Sequence, residues 1–272
     1  MAPWSIDELH GPDGEDWRVP VSELESRITE LSNNLAEAGI EAALIQSPVD
    51  LYYYAGGRQN GALLIPAVDS AASTEQGGDG ATFFVRRSVE RAKFEAGADD
   101  SCLEIQKFPS LRIFAETLTN MGIDGGIGLQ LGEIPADFGQ KFKNALAPLG
   151  EGNDCTAIVH HQRETKSDWE LEMMREGAKV QRQMFEAVKQ SVTIGATELD
   201  LVAAAEEVSR RHGFGGTVQM RRFPLQCDRA VIASGRAGGV PSFFDSAIGG
   251  TGPHPMAGMG SGSVSYTHLR AH

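Results

Sequence analysis

Arg163-Glu164-Thr165-Lys166-Ser167-Asp168-Trp169-Glu170 is the stretch on which the reading of this chain turns. Within it, Ser167-x-x-Glu170 has the spacing of a capping box: the serine oxygen and the glutamate carboxylate each accept a backbone N–H that a helix start leaves unpaired. Behind it Met173, Gly177, Val180, Met184 and Val188 recur at intervals of three and four, predicting a helix of about five or six turns. Gly195 breaks the chain, and Thr197 caps a second helix carrying Leu199, Val202 and Val208 as far as Gly213. Thr217–Phe223 and Arg229–Ala233 read as strands. Two helices followed by two strands open an α+β domain.

Upstream the pattern is different. Residues 1–20 are polar and broken by Gly11, Pro12 and Gly14, and read as a flexible arm. Ser22-x-x-Glu25 predicts a capped helix start, with Leu24, Ile28, Leu31 and Leu35 on one face and Gly39 as a left-handed stop. Ala42–Ile45, Gly61–Ile65, Thr82–Val85, Cys102–Phe108 and Ile127–Leu131 read as strands, and residues 70–80 as a Ser/Gly-rich loop. Ser88–Ala96, the Leu111-Phe114-Leu118-Met121 series and the Phe138-Phe142-Leu146 series read as helices. Alternation at this pitch predicts an α/β domain with a mixed or largely parallel sheet.

The charge follows the same division. The chain has 272 residues, 24 basic against 37 acidic, and a net charge of −13. Residues 1–158 carry 11 basic and 25 acidic residues, whereas 159–272 carry 13 and 12, so a boundary is expected near 158. The acidic balance argues against nucleic-acid or anionic-membrane partners, no apolar run is long enough to span a bilayer, and no secretory signal is visible. Three scattered cysteines, Cys102, Cys155 and Cys227, argue against a disulfide scaffold and for a cytoplasmic location. No Asp or Glu follows Asp245, and residues 235–262 hold nine glycines, predicting little regular structure there.

These stretches together resemble the creatinase/aminopeptidase P/prolidase family. Arg163–Glu170 is similar to the R-x-x-K-S-x-x-E entry into that family's catalytic "pita-bread" domain, and Val192–Glu198 to the turn before its second helix. Arg229–Gly235 with Gly239-Val240-Pro241 resembles the strand and loop that lead to the active site. Pro48-Val49-Asp50-Leu51-Tyr52-Tyr53-Tyr54-Ala55-Gly56 resembles a "p-x-n-x-x-Y-x-x-G" turn of the creatinase-type N-terminal domain. The resemblance covers about residues 21–262. It implies an α/β creatinase-like N-terminal domain over 21–158, followed by an incomplete α+β pita-bread domain over 159–262.

The resemblance also implies a function: a homodimeric metallohydrolase, an Xaa-Pro aminopeptidase or prolidase, acting on a peptide or small amide substrate. In the full-length family two divalent metal ions (Mn, Co or Zn), held by two Asp, one His and two Glu, generate the attacking hydroxide. None of those five ligands transfers to a position in this sequence, so the metal set is empty, no bound ion is expected, and the chain by itself is expected to be inactive. His254, in Gly252-Pro253-His254-Pro255, is the one candidate for a substrate contact. Residues 263–272 resemble vector read-through and are expected to be a non-native tail. Alternatives are a non-catalytic binding or subunit-interface module and a creatinase-type amidinohydrolase.

Other candidates read as structural. His160-His161 on an extended linker would point to opposite faces and be solvated. Asp228 and Asp245 have nothing to place them together, and Arg210-Arg211 with Arg221-Arg222 is too small a patch for nucleic acid. The glycines at 235–239 lack the helix that a phosphate cradle needs. Cys227 has no base partner, and Tyr52–Tyr54 read as core and turn packing.

Overall fold

The structure, a computed structural model, describes residues 16, 18–72, 80–215, 231–241, 249–250, 252 and 261. It divides into two compact units, Met1–Lys166 and Ser167–His272. The predicted strand at 217–223, Cys227, Asp228, Asp245, His254 and the tail at 263–272 lie outside the described residues, as does most of the arm at 1–20 and of the loop at 70–80.

The first unit opens with α1 (Val21–Glu37), whose Leu24, Ile28, Leu31 and Leu35 are all buried. The predicted capping box at Ser22 does not form. Pro20 takes the cap position and its carbonyl accepts the Glu23 and Leu24 N–H groups, which leaves Ser22 inside the first turn. At the other end Gly39 adopts φ +66°, and the Gly39 and Ile40 N–H groups return to the Ala36 and Leu35 carbonyls. That pair of bonds is a Schellman stop.

Six strands follow: β1 (Ala42–Ile45), β2 (Gly61–Pro66), β3 (Thr82–Val85), β4 (Glu104–Lys107), β5 (Ile127–Leu129) and β6 (Asn153–Asp154). Their order is β4-β3-β2-β1-β5-β6. β1 and β3 are antiparallel to β2, while β1/β5, β3/β4 and β5/β6 are parallel, so the sheet is mixed. β1 and β3 are buried at every position, the pattern of strands covered on both faces.

The helices supply those covers. Between and after the strands lie α2 (Pro48–Ala55), α3 (Val89–Glu95), α4 (Phe114–Asn120), α5 (Ala136–Leu146) and α6 (Thr156–Gln162). Successive strand residues point to opposite faces. Ala43, Ile45, Leu63 and Phe83 therefore pack with Leu31, Tyr54 and Val159 from α1, α2 and α6. Ala42, Leu44, Leu64 and Phe84 pack with Phe114 and Leu118 of α4 and Phe142 of α5.

Residues 48–55 are a helix, not a turn. Pro48 is preset for a first helical position, and Gly56 ends the helix at φ +67°, where a Cβ would fall 2.5 Å from the Glu95 carbonyl oxygen. The strand predicted over 127–131 stops at Leu129, because the Gln130 carbonyl turns to accept the Glu133 and Ile134 N–H groups.

The second unit contains α7 (Asp168–Ser191), α8 (Glu198–Arg211) and a single turn, α9 (Gly235–Gly238). Both predicted caps form: Ser167 with Glu170, and Thr197 with Asp200. α8 buries Leu201, Val202 and Ala205; of the predicted Leu199-Val202-Val208 stripe Val202 is buried, and Leu199 and Val208 are half-buried. α7 buries none of its residues, and Phe185 is 63% exposed. Residues 231–234 are irregular instead of a strand, because the Ser261 hydroxyl accepts the Ile232 N–H and donates to the Ile232 carbonyl. Among the described residues no helix is long and apolar enough to cross a membrane.

Phe114 lies 5.5 Å from Phe84 and 6.1 Å from Phe142, both edge-to-face. Phe114→Ala should cost about 3–5 kcal/mol in urea unfolding. Tyr52→Ala, at a position 47% exposed, should cost less than about 1 kcal/mol. Equal losses would contradict the two-sided packing of the sheet.

Candidate functional site

The residues that carry the densest polar chemistry meet where β1 and β5 end and α6 leaves the sheet. β1 runs into Gln46 and Ser47, whose N–H groups both donate to Gln130 Oε1, at 2.7 and 3.0 Å. With its oxygen committed, the Gln130 amide can only present Nε2 on the other side. It donates to Asp50 Oδ2 at 2.6 Å, in the first turn of α2. Asp50 is 1% exposed, and its other oxygen accepts from an Arg163 guanidinium nitrogen at 2.6 Å.

α6 is tied along its length. Its first residue, Thr156, donates through both N–H and hydroxyl to Asp154 Oδ1, at 2.9 and 2.5 Å. Gln162 donates to the Arg27 carbonyl at 2.8 Å and accepts the Tyr54 hydroxyl at 2.7 Å. Arg27 lies 4.0 Å from the Tyr53 ring centre, and Arg163 5.5 Å from the same ring. Past the helix, Lys166 Nζ donates to the Arg163 and Glu164 carbonyls at 2.5 and 2.8 Å. Ser167 and Glu170 then close the capping box of α7 with bonds of 3.0 and 3.1 Å. Lysine on terminal carbonyls and serine on initial N–H groups satisfy opposite helix ends within two residues.

His160 and His161 sit on α6, not on an extended chain, so they are not on opposite faces. His160 Nε2 is 2.8 Å from Glu133 Oε1 and partly buried, whereas His161 is exposed and 3.4 Å from Glu164. The charge shift at 158 falls inside this helix, and the division between units lies beyond it at Lys166. The unit extends as far as Val159, Gln162 and Arg163 have partners in it.

Burial pushes the Tyr54 hydroxyl well above its usual range, with Tyr53 and Asp50 adding to the shift. Burial likewise lifts the Cys155 thiol to about 12, reinforced by the Asp154 charge. Neither is a nucleophile near neutral pH. Asp154 is held below the usual carboxylate range; its burial acts in the other direction and is outweighed by the bonds from Thr156 and Leu131 and by His160.

In the second unit Glu198 is fully buried at the start of α8. Its Oε1 accepts the Ser234 N–H at 2.6 Å and the Ser234 hydroxyl at 3.1 Å. A cleft of about 250 Å³ beside α7 and α8 is lined by Met184, Phe185, Val188, Ala205 and Ile232, and is apolar in character.

The family resemblance implies paired divalent ions, and the described residues do not fit them. Among the described residues no three His, Cys, Asp or Glu side chains converge to hold a metal. The His160–Glu133 pair supplies one imidazole and one carboxylate, short of the implied set of two Asp, one His and two Glu. His254, the predicted substrate contact, lies outside the described residues. Asp50, Gln130 and Gln162 escaped the sequence reading. The available signal was Asp50 itself, an acidic residue at the "n" position of the 48–56 motif, inside an otherwise apolar run.

The chain matches the creatinase/prolidase N-terminal domain over residues 27–165. A protein of Sinorhizobium fredii named as an uncharacterized hydrolase/peptidase, y4tL, is 34% identical over 94 residues, which make up 34% of this chain and 24% of that protein. The Xaa-Pro dipeptidase of Bacillus anthracis superposes with a TM-score of 0.57 at 21% identity, covering 70% of this chain and 50% of that one. The prolidase of Pyrococcus horikoshii superposes with a TM-score of 0.58 at 18% identity, covering 82% and 57%. At these identities the likeness is one of fold. The chain spans about half the length of the solved structures it matches.

Three outcomes follow from this geometry. Cys155 should resist iodoacetamide in the native chain at pH 8, read by peptide mass mapping. Because the folded state keeps that thiol proton, Cys155 should also make stability fall as pH rises from about 8.5 towards 12. Ser167→Ala should cost about 1 kcal/mol and speed amide exchange in the first turn of α7, leaving α8 unchanged.

Proposed function

The chain belongs to the creatinase/prolidase N-terminal domain family, and from that premise we propose that it is part of a metal-dependent hydrolase of the Xaa-Pro aminopeptidase or prolidase kind. The observation that carries this reading is the family match over 27–165, which runs up to the capped start of α7. The fold likeness to an Xaa-Pro dipeptidase and a prolidase supports it, since 82% coverage of this chain takes in more than the first unit. The substrate class is a peptide or small amide, and the complete enzyme is a cytoplasmic homodimer.

In such a hydrolase paired divalent ions, Mn, Co or Zn, lower the pKa of water enough to form hydroxide near neutral pH. The 272-residue chain contains no Asp or Glu after Asp245, and nothing upstream of that position resembles the family's ligand set. We therefore read this chain, taken alone, as inactive, with His254 as a substrate-contact residue that has no hydroxide to work beside.

The purified chain, incubated with Mn²⁺, Co²⁺ or Zn²⁺ and an Xaa-Pro dipeptide, should release no proline and retain fewer than the family's metal pair by elemental analysis. Turnover, or a retained metal pair, would sink the inactivity. Reading the source DNA past the codon of Gly262 tests the parentage. A frame that continues into two Asp, a His and two Glu supports a metallohydrolase, and a verified stop moves the reading to a binding or subunit-interface module.

A further inference from the structure

We propose that Asp50 is a latch holding the segment Arg163–Lys166, the last residues of the first unit, in a single course against that unit. The first support is the state of the carboxylate. At 1% exposure Asp50 needs a counter-charge, and each of its oxygens meets one donor at 2.6 Å, Gln130 on one side and Arg163 on the other. Gln130 is neutral and cannot turn, since its oxygen already accepts two backbone N–H groups. The charge that neutralises Asp50 is Arg163, 113 positions along the chain.

The second support is asymmetry of burial across the pair. Arg163 keeps 28% of its side chain exposed, so without its counter-charge it can move into water at little cost. Asp50 sits in α2 between Leu51, Tyr53 and Tyr54, all of them core residues. Breaking the pair therefore releases the chain segment and leaves the core in place. The third support is local: Lys166 Nζ bonds the Arg163 and Glu164 carbonyls, and the Ser167–Glu170 box follows at once. Within this stretch Asp50 bonds the Arg163 side chain, and the Glu164 N–H returns to the His161 carbonyl.

Trypsin reads this directly, because it cuts after Arg163 and after Lys166. In the full 272-residue chain, Asp50→Asn keeps the side chain's shape and removes its charge. Cleavage at those two bonds should rise roughly tenfold or more, mapped by mass spectrometry, while the bond after Arg27, a buried residue of α1, stays slow. Unchanged rates would overturn the latch. An equal rise after Arg27 would overturn it too, since Asp50 would then be an ordinary core residue. A second measurement needs no variant: in the unsubstituted chain, cleavage at Arg163 and Lys166 should track the urea unfolding curve seen by far-UV circular dichroism. Cleavage well below that midpoint would overturn the latch whether or not Asp50→Asn folds.

Discussion

A carboxylate that cannot reach water must be met by donors and a positive charge, and Asp50 imposes that demand at the end of the central strand. β1 brings Gln46 and Ser47 to its C-terminal end, and β5 brings Gln130 beside them. Gln130 passes the backbone's donors on to Asp50, and Arg163 completes the set from the far end of the unit. One polar chain thus joins two parallel strands, α2 and the residue that follows α6. Tyr54, Gln162 and Arg27 run alongside it and link α6 to α1. Apolar packing holds the layers together, and this network ties the chain to them as far as Arg163.

The second unit is organised differently. Its two long helices are begun by local chemistry, Ser167 with Glu170 and Thr197 with Asp200, each needing only three residues of sequence. Of these two, α8 alone acquires buried apolar residues, along with the buried carboxylate of Glu198 that anchors Ser234. α7 carries its apolar residues largely in contact with solvent. A cap starts a helix wherever the right residues are spaced; burial requires a surface to pack against.

That contrast explains which sequence readings succeeded. The strands at 42–45 and 82–85 were legible because a strand covered on both faces is apolar at nearly every position. The box at Ser167 and the cap at Thr197 were legible because each depends on residues within three positions of the helix start. The same spacing at Ser22 misled, since Pro20, two residues earlier, already supplied a carbonyl to the first free N–H groups. Residues 48–55 were misread because three consecutive tyrosines give no helical period, and the proline that starts the helix also ends a strand. His160 was misplaced because a seven-residue helix is too short to show a stripe.

By itself the sequence determined the alternation of strands and helices, the apolar core positions of the first unit, both caps of the second unit and the family they resemble, since these depend on residues within a few positions of one another. Only the tertiary structure decided that the sheet is mixed in the order β4-β3-β2-β1-β5-β6, that Cys155 is an inert thiol, and that Asp50 and Arg163 are partners. Strand order and a buried ion pair join residues far apart in the chain. A sequence records that a charge is present, but the need to neutralise it arises only when folding has removed the water.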